Sequence, residues 1–490
     1  MVNRLNQEIE LKLHVPAGQA AAVEAAVNGR NGATRTHLQA AYFDTPDHEL
    51  AAAGMGWRVR REGRIWVQTL KATIAGGGDG LRREEHNVVV RGRAMPDADA
   101  SLHLGTPAGE RLAEVLNASV DMAGQTFRTD VWRRTRAARV DGGRVELAFD
   151  TGTIASGDAS LPVCELEIEL LAGTPQAVIH TARTWVRRHG LWIDAINKAQ
   201  RGVMLSQGAT EVPVVRAPQP TLTPAMSADA AVREMIRACL VQIMANASAV
   251  AGGLGGHEHV HQTRIGIRKL RTVLRVFGDL SPIDPDWSPR LAEVFSRLGT
   301  SRDREVVLSN WLTALADVGG PSIHPSTEPP EDPGVPLRDP AFSLLLLDLL
   351  HFVHGQADDD GPDLVTEVSD RLQQLRKKSL RHARDFGRLS TEQRHLLRKR
   401  LKRLRYTAEL TGALFSQKKV QRYLRALEPA QDALGALTDL GVATDLFHDM
   451  TEADPQAWFA VGWLSSRHDE VVEACTAPLQ AAAKAPSYWR

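Results

Sequence analysis

Glu8-Ile9-Glu10-Leu11-Lys12 sets two carboxylates and an ammonium at alternate positions, and in a β-strand alternate side chains share a face. Ile9, Leu11 and Leu13 then take the other face. A sheet with one wet side produces such alternation without any chemistry, so this strand alone decides nothing. A distant run changes the balance: Cys164-Glu165-Leu166-Glu167-Ile168-Glu169-Leu170 repeats the alternation with three carboxylates. Like charges on facing strands repel unless cations intervene. Candidate cations alternate in Trp57-Arg58-Val59-Arg60 and Gln68-Thr69-Leu70-Lys71, and Arg83 with Glu85 lies in a further strand running to Val90. Charges of both signs converging on one sheet suit a polyanion held with a divalent metal.

Taken in order, Glu8-x-Glu10-x-Lys12, Tyr42-Phe43-Asp44-Thr45-Pro46-Asp47, Arg58-x-Arg60, Leu70-Lys71, Arg83-x-Glu85 and Glu165-x-Glu167-x-Glu169 resemble the CYTH domain, the triphosphate tunnel metalloenzymes. The resemblance covers about residues 1 to 205 and closes with Asn197-Lys198-x-x-Arg201-Gly202. It implies an α+β domain built on an eight-stranded antiparallel tunnel that hydrolyses inorganic triphosphate to diphosphate and phosphate. Mg²⁺ or Mn²⁺ would sit on Glu8, Glu10, Glu165 and Glu167, as suits all-oxygen ligands. Lys12, Arg58, Arg60, Lys71, Arg83, Arg133 and Lys198 would grip phosphate oxygens. Asp150 is similar to the family's additional acidic residue near the metal, so Glu8, Glu10, Lys12 and Asp150 form the expected catalytic group.

The elements that must position these residues occupy less than half the chain. At 490 residues it exceeds a typical single domain. Residues 1 to 206 read as strands with helices at Gln19 to Val27, Ala108 to Leu116 and Pro175 to His189. Strand signals include Val88-Val89-Val90 and Val145 to Asp150 after the turn Asp141-Gly142-Gly143. Gly76-Gly77-Gly78-Asp79-Gly80 lacks the Lys-Ser/Thr of a P-loop and reads as a flexible loop. Prolines 213, 218, 220 and 224 mark residues 207 to 224 as an extended linker, and separation there should leave two pieces that fold independently. Residues 225 to 490 are helical in period, broken by Pro/Gly/Asp-rich loops at 281 to 289 and 318 to 340.

Lys+Arg and Asp+Glu both number 59, so affinity for an anion must come from local clustering. Cys164, Cys239 and Cys475 form neither a metal spacing nor a disulfide framework, which suits a reducing cytoplasm. The charged first twelve residues exclude the apolar core of a signal peptide. Ala341 to Val353, interrupted by Asp348 and His351, reads as a buried helix too short and polar to span a bilayer. No membrane partner is expected.

The helical half contains a duplication. His261-x2-Arg264-x3-Arg268-x2-Arg271 is matched in spacing by His395-x2-Arg398-x3-Lys402-x2-Arg405, and Leu298-Gly299-x2-Arg302-Asp303 by Leu434-Gly435-x2-Thr438-Asp439. Steps of three and four place each His and its cations on one helical face. Ile267, Leu270 and Leu274, and in the copy Leu401, Leu404 and Ala408, form the apolar stripe beside it. Residues 371 to 425 hold eighteen Lys+Arg against three Asp+Glu, while 326 to 370 hold eleven Asp+Glu and one Arg. Like-charged helices facing one another call for an anion between them. Aromatic residues on these segments are few, Tyr406 and Tyr423 excepted, so base-stacking platforms are missing and phosphate chains are preferred over nucleic acid.

These helices resemble the CHAD domain over about residues 225 to 490, through Val260-His261-Gln262-Thr263-Arg264-Ile265-x2-Arg268-Lys269-Leu270-Arg271 and Lys402-Arg403-Leu404-Arg405-Tyr406. The order is that of the bacterial CYTH–CHAD inorganic triphosphatases. The resemblance implies an all-α domain of two pseudo-symmetric helical bundles around a basic pore that binds inorganic polyphosphate. Glu305 and Thr438 depart from its usual Asp and Asn, outside the basic faces. His261 and His395 read as phosphate donors or helix-orienting groups rather than metal ligands, on the view that neither helix carries a second His or Cys at ligand spacing. Two other readings stay open: an organic triphosphate such as thiamine triphosphate or ATP as substrate, and a non-catalytic scaffold on polyphosphate storage granules.

Overall fold

The computed structural model describes residues 7–30, 32–73, 82–119, 122–299, 302–324 and 332–490. The glycine run at 76–80 lies outside them, as do the side chains of Arg83, Arg302, Asp303 and Glu305.

Nine strands form in the described residues: β1 (Gln7–His14), β2 (Thr34–Asp44), β3 (Met55–Glu62), β4 (Ile65–Thr73), β5 (Arg82–Val90), β6 (Gly124–Val140), β7 (Gly143–Ser156), β8 (Ala159–Gly173) and β9 (Trp192–Ile193). They lie in the order β5-β4-β3-β2-β6-β7-β8-β1-β9, each pairing antiparallel, with an added contact between β1 and β5 at Gln7–Ile9 and Arg82–Glu84. The expected eight-stranded tunnel is thereby corrected to a nine-stranded antiparallel sheet. The ninth strand arises because the helix Pro175–His189 ends at Gly190 in a left-handed conformation, φ 63°, which turns the chain back onto β1. There Leu13 pairs with Ile193 and His14 with Trp192, whose rings stack at 4.3 Å.

Alternation divides the sheet as its sequence requires. Leu11, Leu13, Leu147, Phe149, Leu166 and Ile168 are buried on the apolar face, which is covered by the helices Ala20–Asn28 and Pro175–His189. Val178, Ile179, Ala182 and Val186 supply the apolar stripe of the latter. A satellite core of Leu50, Met55, Trp57, Leu70, Ala72, Ala108 and Leu112 seats the helix Pro107–Ala118, capped by Thr106 and opened by a first-turn proline.

Two compact units form. One comprises Met1–Pro218, Arg237–Gly266 and Pro333–Gln356; the other comprises Gln219–Ile236, Ile267–Asp332 and Ala357–Arg490. In the first, the helix Pro340–Val353, legible as a buried helix, packs on Pro175–His189. Arg183 pairs with Asp348 at 2.7 Å, and Ile193 N donates to Ser343 Oγ at 3.1 Å. The proline-rich stretch forms neither helix nor strand, and its Val215 backbone exchanges hydrogen bonds with the Asn246 amide.

The expectation of two pseudo-symmetric bundles is also corrected. The basic helices His257–Phe277 and Thr391–Thr411 are equal in length, 21 residues each, but the chain beyond each takes a different form. Leu298 ends the helix Trp287–Arg297 and a new helix, Arg302–Asp317, begins beyond it, whereas Leu434 and Gly435 lie inside one continuous helix, Gln417–Met450, of 34 residues. Within it Thr438 returns its hydroxyl to the Leu434 carbonyl at 2.9 Å, so the departure at this position is accommodated locally.

Candidate active site

Register carries the charges to one face. β1 and β8 pair Lys12 with Glu167 and Glu10 with Glu169; β7 and β8 pair Asp150 with Glu165; β6 and β7 pair Arg133 with Asp150. Across the sheet β3 sets Arg58 opposite Tyr42, and β4 sets Lys71 opposite Glu85. The face is closed over by the helix Lys198–Ser206, whose Ala199, Val203 and Leu205 pack on Ala40, Tyr42, Phe127, Val131, Ile154 and Val163. Asn197 and Gln200 form a reciprocal capping box at its start. A Cβ on Gly202 would stand 2.1 Å from the Phe127 ring, so only glycine lets this helix sit so close. That approach lowers Lys198 and Arg201 onto the carboxylates.

The centre is a cluster of Asp150, Glu165 and Glu167, whose oxygens lie within 4.8 Å of one another. Lys198 Nζ touches all three, at 2.6 Å from Asp150, 2.8 Å from Glu167 and in shorter contact with Glu165. Arg133 grips Asp150 through two nitrogens at 2.7 and 2.6 Å and also meets Glu167. Arg201 bonds Glu165 at 3.2 Å and is itself oriented by Asp194. Burial would push Glu165 and Glu167 up; Lys12, Lys198 and Arg201 around the first, and Arg133 and Lys198 around the second, hold both below the usual range. Burial likewise opposes the charge of Lys198, yet Asp150, Glu165 and Glu167 raise it. Lys12 is turned inward: its ammonium donates to the Ile196 carbonyl and stands 3.6 Å from Glu165 Oε2, and burial lowers its pKa.

Glu8 belongs to a second cluster. Lys71 Nζ bridges it at 2.7 Å to Glu85 at 2.9 Å. Burial, with Glu10 and Glu85 close by, pushes Glu8 up to about 8 against the pull of Lys71. Burial would raise Glu85 as well, but Lys71, Glu8 and Arg58 outweigh it and hold this carboxyl low. Arg58 donates to the Tyr42 hydroxyl at 3.1 Å, and Arg60 is tied to Glu62, its pKa lowered to about 10 by burial and by Arg58 and Arg133. The structure therefore joins Glu165 and Glu167 with Asp150, and sets Glu8 in the Lys71 cluster. Glu10 acts electrostatically on Lys71 and Arg133. Tyr42, Glu85, Asp194 and Arg201 were not among the expected site residues. Tyr42 and Glu85 fit the strand alternation, but only pairing register reveals which side chains they meet; Arg201 on the helix and Asp194 after β9 reach the site through tertiary packing.

In the second unit, burial lowers the Arg398 pKa, and the nearby Arg268 adds to this against the opposing pull of Asp439. Arg271 is lowered by burial and Arg275. The Nε atoms of Arg268, Arg271 and Arg398 are buried and find no hydrogen-bond partner among the described residues. Arg405 is engaged by Glu409 at 2.7 Å and Gln431 at 2.6 Å. His261 and Arg264 fall in the first unit, on the opening turns of the same helix as Arg268. His257 stands one turn before His261, which corrects the expectation that this helix carries no second histidine at ligand spacing. Lys402 and His395 lie on Thr391–Thr411.

Residues 6–203 match the family model of the CYTH domain, and residues 234–448 that of the CHAD domain. An inorganic triphosphatase of Haemophilus influenzae is 30% identical over 212 residues, covering 42% of this chain and 56% of that protein. The chain thus spans just over half the length of that relative. An uncharacterized protein of Mycobacterium tuberculosis is 26% identical over 496 residues, covering 91% of this chain and 89% of its own. The CHAD domain of the plant Ricinus communis, solved by crystallography, shares 25% identity at a TM-score of 0.46 over 56% of this chain and 99% of that one. No helix among the described residues is long and apolar enough to cross a membrane.

Proposed function

We propose that this chain hydrolyses inorganic triphosphate to diphosphate and phosphate with a divalent metal, and that its basic helices bind inorganic polyphosphate. The observation that carries the reading is the Asp150, Glu165 and Glu167 cluster ringed by Lys198, Arg133, Arg201 and Lys12. A simple anion binder gains nothing from three clustered carboxylates. Their all-oxygen donor set fits Mg²⁺ or Mn²⁺, and such an ion supplies charge neutralisation and a bound water for attack.

The chain's own residues do the rest. Lys198 already neutralises all three carboxylates, so a cation bound there frees its ammonium for phosphate oxygens. Arg133 stays anchored on Asp150 through two nitrogens, which fixes its guanidinium plane for a bidentate grip. Arg58, Arg60 and Lys71 extend the positive row along the same face. Phosphoryl transfer asks mainly for such positioning and charge stabilisation. Within the second unit, the buried and unpartnered Nε donors of Arg268, Arg271 and Arg398 are satisfied by a phosphate chain. Turnover of inorganic triphosphate should exceed that of thiamine triphosphate and ATP when the three are compared at equal concentration. Preference for either organic substrate overturns the substrate assignment.

A further inference from the structure

The cover over the apolar face of the sheet is split. The helix Ala20–Asn28 rests on β6 and β7, and the helix Pro175–His189 rests on β1, β7 and β8. A cavity of about 410 Å³ remains, lined by both helices and by the β6–β7 hairpin. Alternation sets it on the side away from the clustered carboxylates, because its Arg136 follows Arg133 by three residues and strand side chains at odd separations face opposite ways. Ala26, Ala138, Val140, Leu147 and Trp185 supply an apolar wall. Trp185 stacks on His189, one turn later, with ring centroids 5.1 Å and planes 26° apart.

The polar groups of the cavity are few and mostly basic. Arg136 donates through Nη2 to the Ala26 carbonyl at 3.3 Å, while its Nε is buried and meets no acceptor among the described residues. His189 is 8% exposed, and its Nε2 is likewise buried without a partner there. Burial and the adjacent Arg188 lower its pKa, so at neutral pH the uncharged ring offers one donor and one acceptor. A buried polar atom left unpaired calls for an explanation, and a ligand atom is one. Arg188 is exposed on the last helical turn, where the helix's own carbonyls favour a cation; Arg136, on a strand, has no such reason. Asp141 offsets one of the two guanidinium charges, which leaves one negative charge for a ligand to bring. A metal does not fit: the residue one turn before His189 is Trp185, and the described residues hold a single group of three potential ligands, Asp150, Glu165 and Glu167. A phosphate chain has no use for the apolar wall.

We propose that this cavity is a second ligand site, taking a small amphipathic organic anion whose ring system lies against Trp185 and Leu147 and whose single carboxylate or sulfonate faces Arg136 and Arg188. Its volume falls in the range of small-molecule sites, which are mainly apolar with a few placed polar groups. The test titrates the intact chain with anilinonaphthalene sulfonate, a ring system carrying one negative charge, followed by fluorescence and, for stoichiometry, by calorimetry. One equivalent should bind. Arg188→Glu and Arg136→Met should each weaken it about tenfold, as expected for loss of a charged hydrogen-bond partner. Arg187→Glu makes the same charge change at an exposed neighbour outside the cavity and should leave the affinity unchanged. Arg187 and Arg188 are both exposed, so their variants keep the fold, as circular dichroism checks, and the comparison stands even where Arg136→Met does not fold. Saturating inorganic triphosphate should not displace the probe. Wild-type affinity in Arg188→Glu, an equal loss in Arg187→Glu, or displacement by triphosphate overturns the proposal. None of these outcomes depends on whether triphosphate is hydrolysed.

Discussion

Glu8 and Lys198 are the two side chains whose environments make the sharpest claims. A free glutamate titrates near 4.3, whereas folded Glu8 is pushed up to about 8. The folded chain therefore holds a proton that the unfolded chain releases between those values, and the stability it contributes is lost as pH rises from about 4.3 through 8. Glu8→Gln removes that dependence. It should raise the unfolding free energy at pH 8.5 by on the order of 1 kcal/mol and give no gain at pH 5, as denaturant titrations at both values will show. Lys198→Ala makes the opposite test, since it strips the shared cation from three carboxylates. Removing one partner of a buried pair costs about 3–5 kcal/mol. Calorimetry should show that loss, and Mg²⁺ should restore more stability to this variant than it adds to wild type; equal Mg²⁺ effects would count against a metal on the cluster.

At the scale of elements, the helix Lys198–Ser206 is the part on which the site depends. Gly202→Ala places a methyl group inside the Phe127 ring's contact distance, an overpacking cost of about 1–3 kcal/mol. Triphosphate turnover should fall together with stability, because Lys198 and Arg201 ride on the displaced helix; unchanged turnover would show that their placement is not needed. The role of this glycine depends on the ring it meets, which no local pattern displays. Alternation did display β1 and β8, because each sets apolar side chains on one face and charged ones on the other, and the acidic Glu165 and Glu167 emerged from it. Alternation is silent on partners, so the separation of Glu8 from Asp150 appeared only with register. The two-residue β9 is too short for any period. The duplicated helices were legible in His261, Arg268, His395 and Arg398, yet the helix break at Leu298 and its absence at Leu434 were not, since both arise from packing beyond the repeat. Reversing charge by Arg398→Glu with Lys402→Glu, or by Arg264→Glu with Arg268→Glu, should weaken polyphosphate binding and flatten its salt dependence. Titrations at several salt concentrations decide it, and an unchanged slope in both variants would leave the basic faces merely solvated.

For the molecule as a whole, the division of the chain bears on how it can be cut. The linker at 207–224 marks a change of texture in sequence, while Arg237–Gly266 and Pro333–Gln356 join the sheet's compact unit. A fragment ending at Pro218 loses the Ser343 hydroxyl on Ile193 and the Asp348 partner of Arg183. Its unfolding midpoint should lie below that of the intact chain's first transition; an equal midpoint would make the linker a true domain boundary. The central claim is that the Asp150, Glu165 and Glu167 cluster supports metal-dependent hydrolysis of triphosphate. The most direct measurement is phosphate release from inorganic triphosphate by the full chain, with Mg²⁺, with chelator, and in an Asp150→Asn, Glu167→Gln variant shown to be folded. Release of phosphate and diphosphate in equal amounts that requires Mg²⁺ and is lost in the variant is the predicted result, whereas undiminished release in chelator or in the folded variant contradicts it.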